Sequence, residues 1–141
     1  EPHVVGHNLE TVERLYAKAR PQADYQRSLT ILKRSHEKGF ITKSGIMVGL
    51  GETDDEIIKL MKDAANTGVN ILTIGQYLQP SRKHLPVNRY VAPEDFEKLA
   101  RIGEKSGISV VISSPLVRSS YYSEKQERFA KETLAKKGII L

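Results

Sequence analysis

Phe40-Ile41-Thr42-Lys43-Ser44-Gly45-Ile46-Met47-Val48-Gly49-Leu50 is the longest strand-like segment of the chain, and it sets the fold class. Its apolar residues run on rather than alternate with polar ones, which is typical of a parallel strand covered on both faces. Thr53 and Glu56 follow at the spacing of a capping box, so the sequence predicts that a helix begins there. Gly68 is placed to end that helix.

Other strand-like segments lie on both sides of this one, at residues 4–5, 69–74 and 108–112. Helix patterns separate them, and this alternation predicts βαβ units with a parallel sheet, hence an α/β fold. Three or four strands cannot close a (β/α)₈ barrel, which needs about 250 residues. The chain is therefore expected to form either part of a barrel or a small open sheet.

The helix boundaries are predicted from capping residues. Asn8 is expected to cap a first helix, and Asp24 a second one. Pro93 suits the first turn of a helix that begins after a long loop. Ser123, with Gln126, is expected to open the last helix.

Composition narrows the possible chemistry. The chain has 141 residues, no cysteine and a formal net charge of +5. Disulfides, thiolate metal sites and a cysteine nucleophile within this chain are excluded. The charge permits an anionic partner without requiring one. No signal peptide or membrane span is recognisable, and the missing initiator Met suggests a fragment.

Functional loops of parallel α/β folds follow the C-terminal ends of the strands, which here points to residues 49–53, 75–89 and 113–122. The first loop is rich in glycine and carries Glu52. Its glycines either let the backbone approach a ligand or serve a tight turn, and spacing alone favours the turn. No Gly-Lys-Ser/Thr follows, so the segment is not a P-loop.

The second loop contains amide, phenol, guanidinium, ammonium and imidazole groups directly after a buried strand. Arg82 and Lys83 suit a carboxylate or a phosphate, and the alternative is a solvated basic loop. His84 has no second histidine at ligand spacing, so a metal site built from histidines is not expected.

The third loop places two serines beside Arg118. These hydroxyls either bind an anion or ligate a metal centre through oxygen, although composition alone favours a turn before a helix. A Ser-His-Asp hydrolase is not supported, because there is no Gly-x-Ser-x-Gly elbow.

Four strings, taken together and in this order, resemble the C-terminal half of the lipoyl synthase family of radical S-adenosylmethionine enzymes. They are His7-Asn8-Leu9-Glu10-Thr11-Val12, then Thr42-Lys43-Ser44-Gly45 continued by Gly49-Leu50-Gly51-Glu52-Thr53, then Gly75-Gln76-Tyr77-Leu78-Gln79-Pro80-Ser81-Arg82-Lys83-His84-Leu85, and Pro115-Leu116-Val117-Arg118-Ser119-Ser120-Tyr121. The last two are the most specific. Residues 1–141 then correspond to the C-terminal part of a radical-SAM (β/α) partial barrel, with residues 113–141 as a C-terminal extension.

The resemblance implies a radical-mediated sulfurtransferase with two [4Fe–4S] clusters. One cluster binds and cleaves S-adenosylmethionine, and the 5′-deoxyadenosyl radical abstracts hydrogen from C6 and C8 of a protein-bound octanoyl chain. The auxiliary cluster donates the two sulfur atoms that complete the lipoyl cofactor. The implied partners are an octanoylated lipoyl carrier domain and an electron donor such as ferredoxin or flavodoxin. Binding to nucleic acid or to a membrane is not expected. The implied location is the cytoplasm, or an organelle matrix in a eukaryote.

The resemblance also implies roles for individual residues. Ser120 aligns with the serine ligand of the auxiliary cluster, with Ser119 as the alternative, and Arg118 stands close by. Gly45, Met47, Gly49 and Glu52 fit the radical-SAM pattern Gly-x-Ile-x-Gly-x-x-Glu, with Met47 in place of Ile, and are the implied cofactor-binding residues. Asn8, at the end of an earlier strand, is added to this set. The candidate substrate-binding residues, at the mouth of the partial barrel, are Gln76, Gln79, Arg82 and His84.

Two features depart from the family pattern. Ser114-Pro115 stands where Gly-Pro is usual, and every cluster cysteine is missing. This chain alone is therefore expected to be inactive. The alternative interpretation is a non-catalytic small α/β module that binds a nucleotide or another anionic partner.

Overall fold

The structure is a computed structural model that describes residues 3–116 and 120–139, and for residues 120–124 only the backbone. Strands and helices alternate along the chain: β1 (Val4–Gly6), a 3-10 turn (Glu13–Leu15), α1 (Tyr16–Ala19), α2 (Tyr25–Glu37), β2 (Ile41–Val48), α3 (Asp54–Thr67), β3 (Ile71–Gln76), α4 (Pro93–Lys105), β4 (Val110–Ser113) and α5 (Ser120–Lys136). The predicted α/β class is confirmed.

The strands form one parallel sheet in the order β1-β2-β3-β4. Each crossover moves to the next neighbouring strand, so the sheet is wound in a single direction as in a barrel wall. Right-handed crossovers then bring the intervening helices to the same face. The order agrees with a partial TIM-like barrel rather than with a doubly wound sheet, in which the strand order reverses.

The two faces of the sheet have different coverings. Even-numbered residues of β2, such as Ile46 and Val48, pack with α2, α3 and α4 in the larger core, which defines the outer face. Odd-numbered residues point to the opposite, inner face. At its lower end, Ile41, Ile71 and Val110 pack against Ala130 and Leu134 of α5. The upper end of the inner face, towards the C-terminal ends of the strands, lies beyond this second core.

The prediction of a first helix capped by Asn8 is wrong. The chain continues along β2 instead: the Glu10 N–H donates to Gly45 O at 2.9 Å, and the Met47 N–H donates to Glu10 O at 2.8 Å. Glu10 pairs with Ile46 and has a φ of 70°, which turns the chain out of the sheet. Backbone bonds to an existing strand therefore override the helical spacing, and helix α1 begins only at Tyr16.

Three of the other predicted helix starts are confirmed, and the fourth differs by a few residues. Asp24 accepts from the Arg27 N–H, Thr53 and Glu56 form the capping box, and Pro93 occupies the first turn of α4. The last helix begins at Ser120, three residues before the predicted Ser123. No residue from 120 to 122 is a proline or a glycine, so nothing in that segment opposes helix formation.

None of the helices within residues 3–116 and 120–139 combines the length and the apolar character needed to cross a membrane.

Candidate functional site

A small polar cradle lies on the upper part of the inner face. Gly45 of β2 pairs with Thr73 of β3, and the chain after β1 brings Asn8 across them. A Cβ added at Gly45 would lie 2.6 Å from Thr73 Oγ1 and 3.1 Å from Asn8 Oδ1. Only glycine lets the Thr73 hydroxyl and the Asn8 amide pack this closely against the strand, so the backbone, one hydroxyl and one amide meet at one point of the inner face. We call these three residues the Gly45 cradle.

Met47 follows Gly45 on the same face by the two-residue period of a strand, and its neighbour in the sheet is Gly75. A half-buried thioether opposite a glycine provides an apolar surface beside the polar cradle. The combination suits a ligand with a flat apolar part and hydrogen-bonding groups, as in a nucleoside. Asn8, Gly45 and Met47, three of the predicted cofactor residues, are therefore brought together.

Glu52 has a different position from these three. Its carboxylate is buried and accepts from the N–H groups of Gly49, at 3.0 and 3.1 Å, and of Leu50, at 3.0 Å. The side chain folds back into the turn between β2 and α3 rather than over the inner face. A buried carboxylate needs such donors, so Glu52 fixes the shape of the turn.

Gly49 is the most constrained residue of this turn. Its φ is +103°, and an added Cβ would lie 2.5 Å from both Arg89 O and Gln76 Nε2. The glycine therefore permits a close approach of three chain segments: the turn after β2, the end of β3, and residues 88–91. The Asn88 N–H completes this junction by donating to Gly49 O at 2.8 Å.

Gln76, predicted for the substrate side, is buried in that junction on the outer-face side. Its Nε2 donates to Tyr77 O at 2.9 Å and Arg89 O at 3.0 Å, and its Oε1 accepts from the Val91 N–H at 2.9 Å. The side chain thus ties the two ends of the loop 77–92 together. Its amide is engaged with backbone groups, which makes Gln76 a support of the mouth.

The remaining predicted substrate residues lie on the exposed loop. Gln79 Nε2 donates to His84 O at 2.9 Å, and His84 Nδ1 lies 2.8 Å from Ser81 Oγ. Tyr77, which continues from β3, donates its hydroxyl to Leu85 O at 2.6 Å. Arg82 is exposed at the tip. The conformation of the loop is therefore stabilised by hydrogen bonds between its own residues, and the side chain of Gln79 makes one of these bonds.

Arg14, in the 3-10 turn before α1, also stabilises the glycine-rich turn between β2 and α3. Arg14 bonds both carboxylate oxygens of Glu56, at 2.8 and 3.0 Å, and donates to Gly51 O at 2.9 Å. The guanidinium of Arg14 and the Thr53 N–H lower the pKa of Glu56 to about 2. The 3-10 turn, the glycine-rich turn and the start of α3 thus form one connected unit.

Sequence reasoning missed two residues of this region. Thr73 was available as a polar residue in a buried strand, but its pairing with Gly45 follows only from the register. Arg89 lies near Glu52 Oε2 and Asp54 Oδ1, at 3.6 and 3.5 Å. The sequence indicates only that Arg89 belongs to the loop, because its partners are more than thirty positions away.

Comparison with known proteins identifies related sequences. The family profile described as the Radical SAM superfamily matches residues 1–64. A lipoyl synthase from Syntrophotalea carbinolica is 57% identical over 135 residues, which cover 94% of this chain and 43% of that protein. Lipoyl synthases from Parabacteroides distasonis and Pseudomonas fluorescens are 52% and 53% identical, covering 88% and 94% of this chain and 44% and 40% of theirs.

The chain belongs to the lipoyl synthase family. The resemblance predicted from the sequence motifs is confirmed. The chain spans less than half the length of the lipoyl synthases cited above.

The family membership directs attention to Arg118, Ser119 and Ser120, the residues predicted for the auxiliary cluster. Arg118 and Ser119 lie outside the described residues, as does the side chain of Ser120, whose backbone begins α5. Within the part of the chain that the structure describes, no three His, Asp or Glu side chains converge to hold a metal ion. The candidate site of this lipoyl synthase family member therefore consists of the Gly45 cradle, the Glu52 turn and the mouth loop 77–92.

Proposed function

We propose that this chain forms the cofactor-facing strands and the substrate mouth of a lipoyl synthase. The enzyme would insert two sulfur atoms, at C6 and C8 of a protein-bound octanoyl chain, to make the lipoyl cofactor. The observation that carries the proposal is the 57% identity to a lipoyl synthase over 94% of this chain. The alternative of a non-catalytic anion-binding module has no comparable support.

The Gly45 cradle fits S-adenosylmethionine in its chemistry. An adenosyl group offers ribose hydroxyls for Asn8 and Thr73, and an adenine plane for the apolar surface of Met47. The absent side chain at Gly45 allows Thr73 Oγ1 and Asn8 Oδ1 to lie close to the strand backbone, where both can face one ligand. When bound beside a reduced [4Fe–4S] cluster, this cofactor supplies the radical that removes hydrogen from the octanoyl chain.

Gly49 and Glu52 serve the same site by a different route. The carboxylate of Glu52 holds the N–H groups of Gly49 and Leu50, so the chain leaves β2 in one defined direction. A fixed turn keeps the strand end, and with it Met47, in place for a ligand. In this proposal both residues support the cofactor site without touching the cofactor.

The proposed enzyme uses two [4Fe–4S] clusters, one for the cofactor and one as the sulfur donor. This chain contains no cysteine, so its proposed share is one oxygen ligand, Ser120 or alternatively Ser119. An oxygen ligand beside thiolates is the hard member of a soft set, which makes it a suitable point for the cluster to open. Arg118 would stand beside this ligand.

The proposed substrate is an octanoylated lipoyl carrier domain, and the proposed electron donor is a ferredoxin or a flavodoxin. Arg82 and His84, at the exposed end of the mouth loop, are the side chains proposed to meet the substrate. Gln76 and Gln79 contribute by holding that loop in shape. The proposed compartment is the cytoplasm, or an organelle matrix if the source is eukaryotic.

The test is lipoyl formation by the full-length, cluster-loaded protein with S-adenosylmethionine, reductant and octanoylated carrier. Wild-type protein is expected to form lipoyl product, and a protein that cleaves the cofactor without forming this product would contradict the proposal. Ser120→Ala is expected to abolish sulfur insertion with a smaller effect on cofactor cleavage. Undiminished insertion in Ser120→Ala, with loss in Ser119→Ala, would move the ligand role to Ser119.

A further inference from the structure

A groove of about 390 Å³ opens beside the mouth, between helix α1 and the loop that follows β3. Lys18 lies on its helix side, and Lys83, His84 and Leu85 lie on its loop side. Leu50 and Tyr77 line it from the positions that follow strands β2 and β3. The groove therefore lies at the same end of the sheet as the Gly45 cradle.

The loop side of the groove is formed before any ligand arrives. Tyr77, Gln79 and Ser81 make the hydrogen bonds to Leu85 and His84 that hold this part of the loop. A surface that is already ordered loses less conformational entropy when a partner binds. The groove can therefore bind a partner without first ordering this part of its own surface.

The charge of the groove is of one sign. Lys18 and Lys83 are exposed and come from two different elements, and among the described residues that line the groove none carries a carboxylate. Leu50 and Leu85 add apolar surface between the charges. Cationic edges around an apolar floor complement a peptide that carries both carboxylates and an apolar side chain.

A nucleic acid fits this groove less well than a peptide does. Single-stranded nucleic acids bind on exposed aromatic faces that stack with the bases. Tyr77 is the aromatic residue in the lining, but it is 7% exposed and its hydroxyl is bonded to Leu85 O. The observed groove therefore favours a protein segment.

We propose that this groove docks an acidic segment of the carrier protein, a proposal that rests on the proposed lipoyl synthase function. Carboxylates of the carrier pair with Lys18 and Lys83, and an apolar side chain of the same segment packs on Leu50 and Leu85. Such docking orients the carrier surface at the mouth and leaves the acylated lysine free to enter. The groove then selects the carrier protein, while the inner face handles the octanoyl chain.

The experiment compares the full-length, cluster-loaded enzyme with its Lys18→Glu/Lys83→Glu variant. The Kd and KM for the octanoylated carrier are expected to rise about tenfold or more, and the effect is expected to shrink at high salt. The kcat with a short neutral peptide that carries octanoyl-lysine is expected to stay unchanged. Lys33→Glu, an exposed lysine on α2, is the matched control and is expected to bind the carrier normally.

The outcomes separate this proposal from the function on which it rests. If wild-type enzyme forms lipoyl product but the double variant binds the carrier as tightly as wild type does, the docking proposal is overturned. It is equally overturned if an oligonucleotide binds wild type and loses binding in the double variant. If wild type forms no lipoyl product, the proposed function itself fails.

Discussion

Gln76 holds the backbone of Arg89 against the end of strand β3, with its Nε2 donating to Arg89 O at 3.0 Å. The other end of the same amide accepts from the Val91 N–H at 2.9 Å. One buried side chain thus joins the strand that enters the mouth loop to the segment that leaves it. The shape of the mouth depends on this closure, since residues 77–92 contain no helix or strand of their own.

Replacing Gln76 with Leu should be strongly destabilising. The substitution removes the partners of Arg89 O and the Val91 N–H, and an unpaired buried polar group is costly. We expect a loss of about 2–4 kcal/mol in the free energy of unfolding, measured by urea denaturation of the full-length protein. Gln79→Leu is the control, since its exposed bond to His84 O should be worth less than about 1 kcal/mol. Equal losses in the two variants would contradict the role of Gln76.

Gly49 should tolerate no side chain. In Gly49→Ala the Cβ would lie 2.5 Å from Arg89 O and from Gln76 Nε2, in addition to the cost of a φ of +103°. Gly39→Ala is a matched control, because Gly39 has a φ of +87° with nothing within 4 Å of the added Cβ. We expect about 1 kcal/mol for the control and clearly more than about 2 kcal/mol for Gly49→Ala. Urea denaturation gives both values, and similar losses would mean that the close approach is unimportant.

The sheet and most helices were predictable because their signals are local. Residues 40–50 contain a continuous apolar run, and the Thr53–Glu56 capping box lies within four positions. The first helix was wrong because Leu9, Val12 and Leu15 have helical spacing while the backbone of Glu10 bonds to β2. That competition depends on a strand more than thirty positions away, which local spacing does not reveal.

The sequence motifs predicted several residues of the candidate site, but not the role of each residue in it. Gly45 and Asn8 do meet, but the third member of the cradle, Thr73, depends on the register between β2 and β3. Gln76 was expected at the mouth because it follows a strand, yet its position in the register turns it to the outer face. Which face a side chain occupies changes with a shift of one residue, so sequence motifs alone do not fix it.

Filling the Gly45 cradle should weaken cofactor binding. In Gly45→Ala the new Cβ would displace Thr73 Oγ1 and Asn8 Oδ1 from their positions, so we expect the Kd for S-adenosylmethionine to rise about tenfold or more. Calorimetry on the full-length, cluster-loaded protein measures this value. Gly6→Ala is the control, since its Cβ would lie 3.9 Å from the nearest atom, Lys43 O.

A second variant separates a filled cradle from a damaged fold. Gly45→Ala/Thr73→Ala removes the hydroxyl that the new Cβ would meet, so the stability should largely return while the cradle stays occupied. Because the Thr73 hydroxyl is itself a proposed contact, the reference is Thr73→Ala alone, and we expect the double variant to bind the cofactor more weakly than this reference. Equal affinity in the two variants would show that the cofactor does not use the space of the added Cβ.

The Arg14–Glu56 pair should make stability depend on pH in acid. Arg14 and the Thr53 N–H hold the pKa of Glu56 at about 2, below its usual 4.5. A lowered carboxyl pKa stabilises the folded state fully above about 4.5, and this contribution is lost as the pH falls through about 2. Because both side chains are partly exposed, the contribution is modest and weakens with salt.

Arg14→Gln should move the pKa of Glu56 upward toward 4.5, with part of the lowering kept by the Thr53 N–H. Titration of the Glu56 carboxyl by NMR measures the shift directly. Lys59→Gln is the control, because Lys59 lies on the same helix but pairs with Asp63 at 2.9 Å. A Glu56 pKa that stays near 2 in Arg14→Gln would mean that the capping box alone sets it, and that Arg14 does not stabilise the turn through this carboxylate.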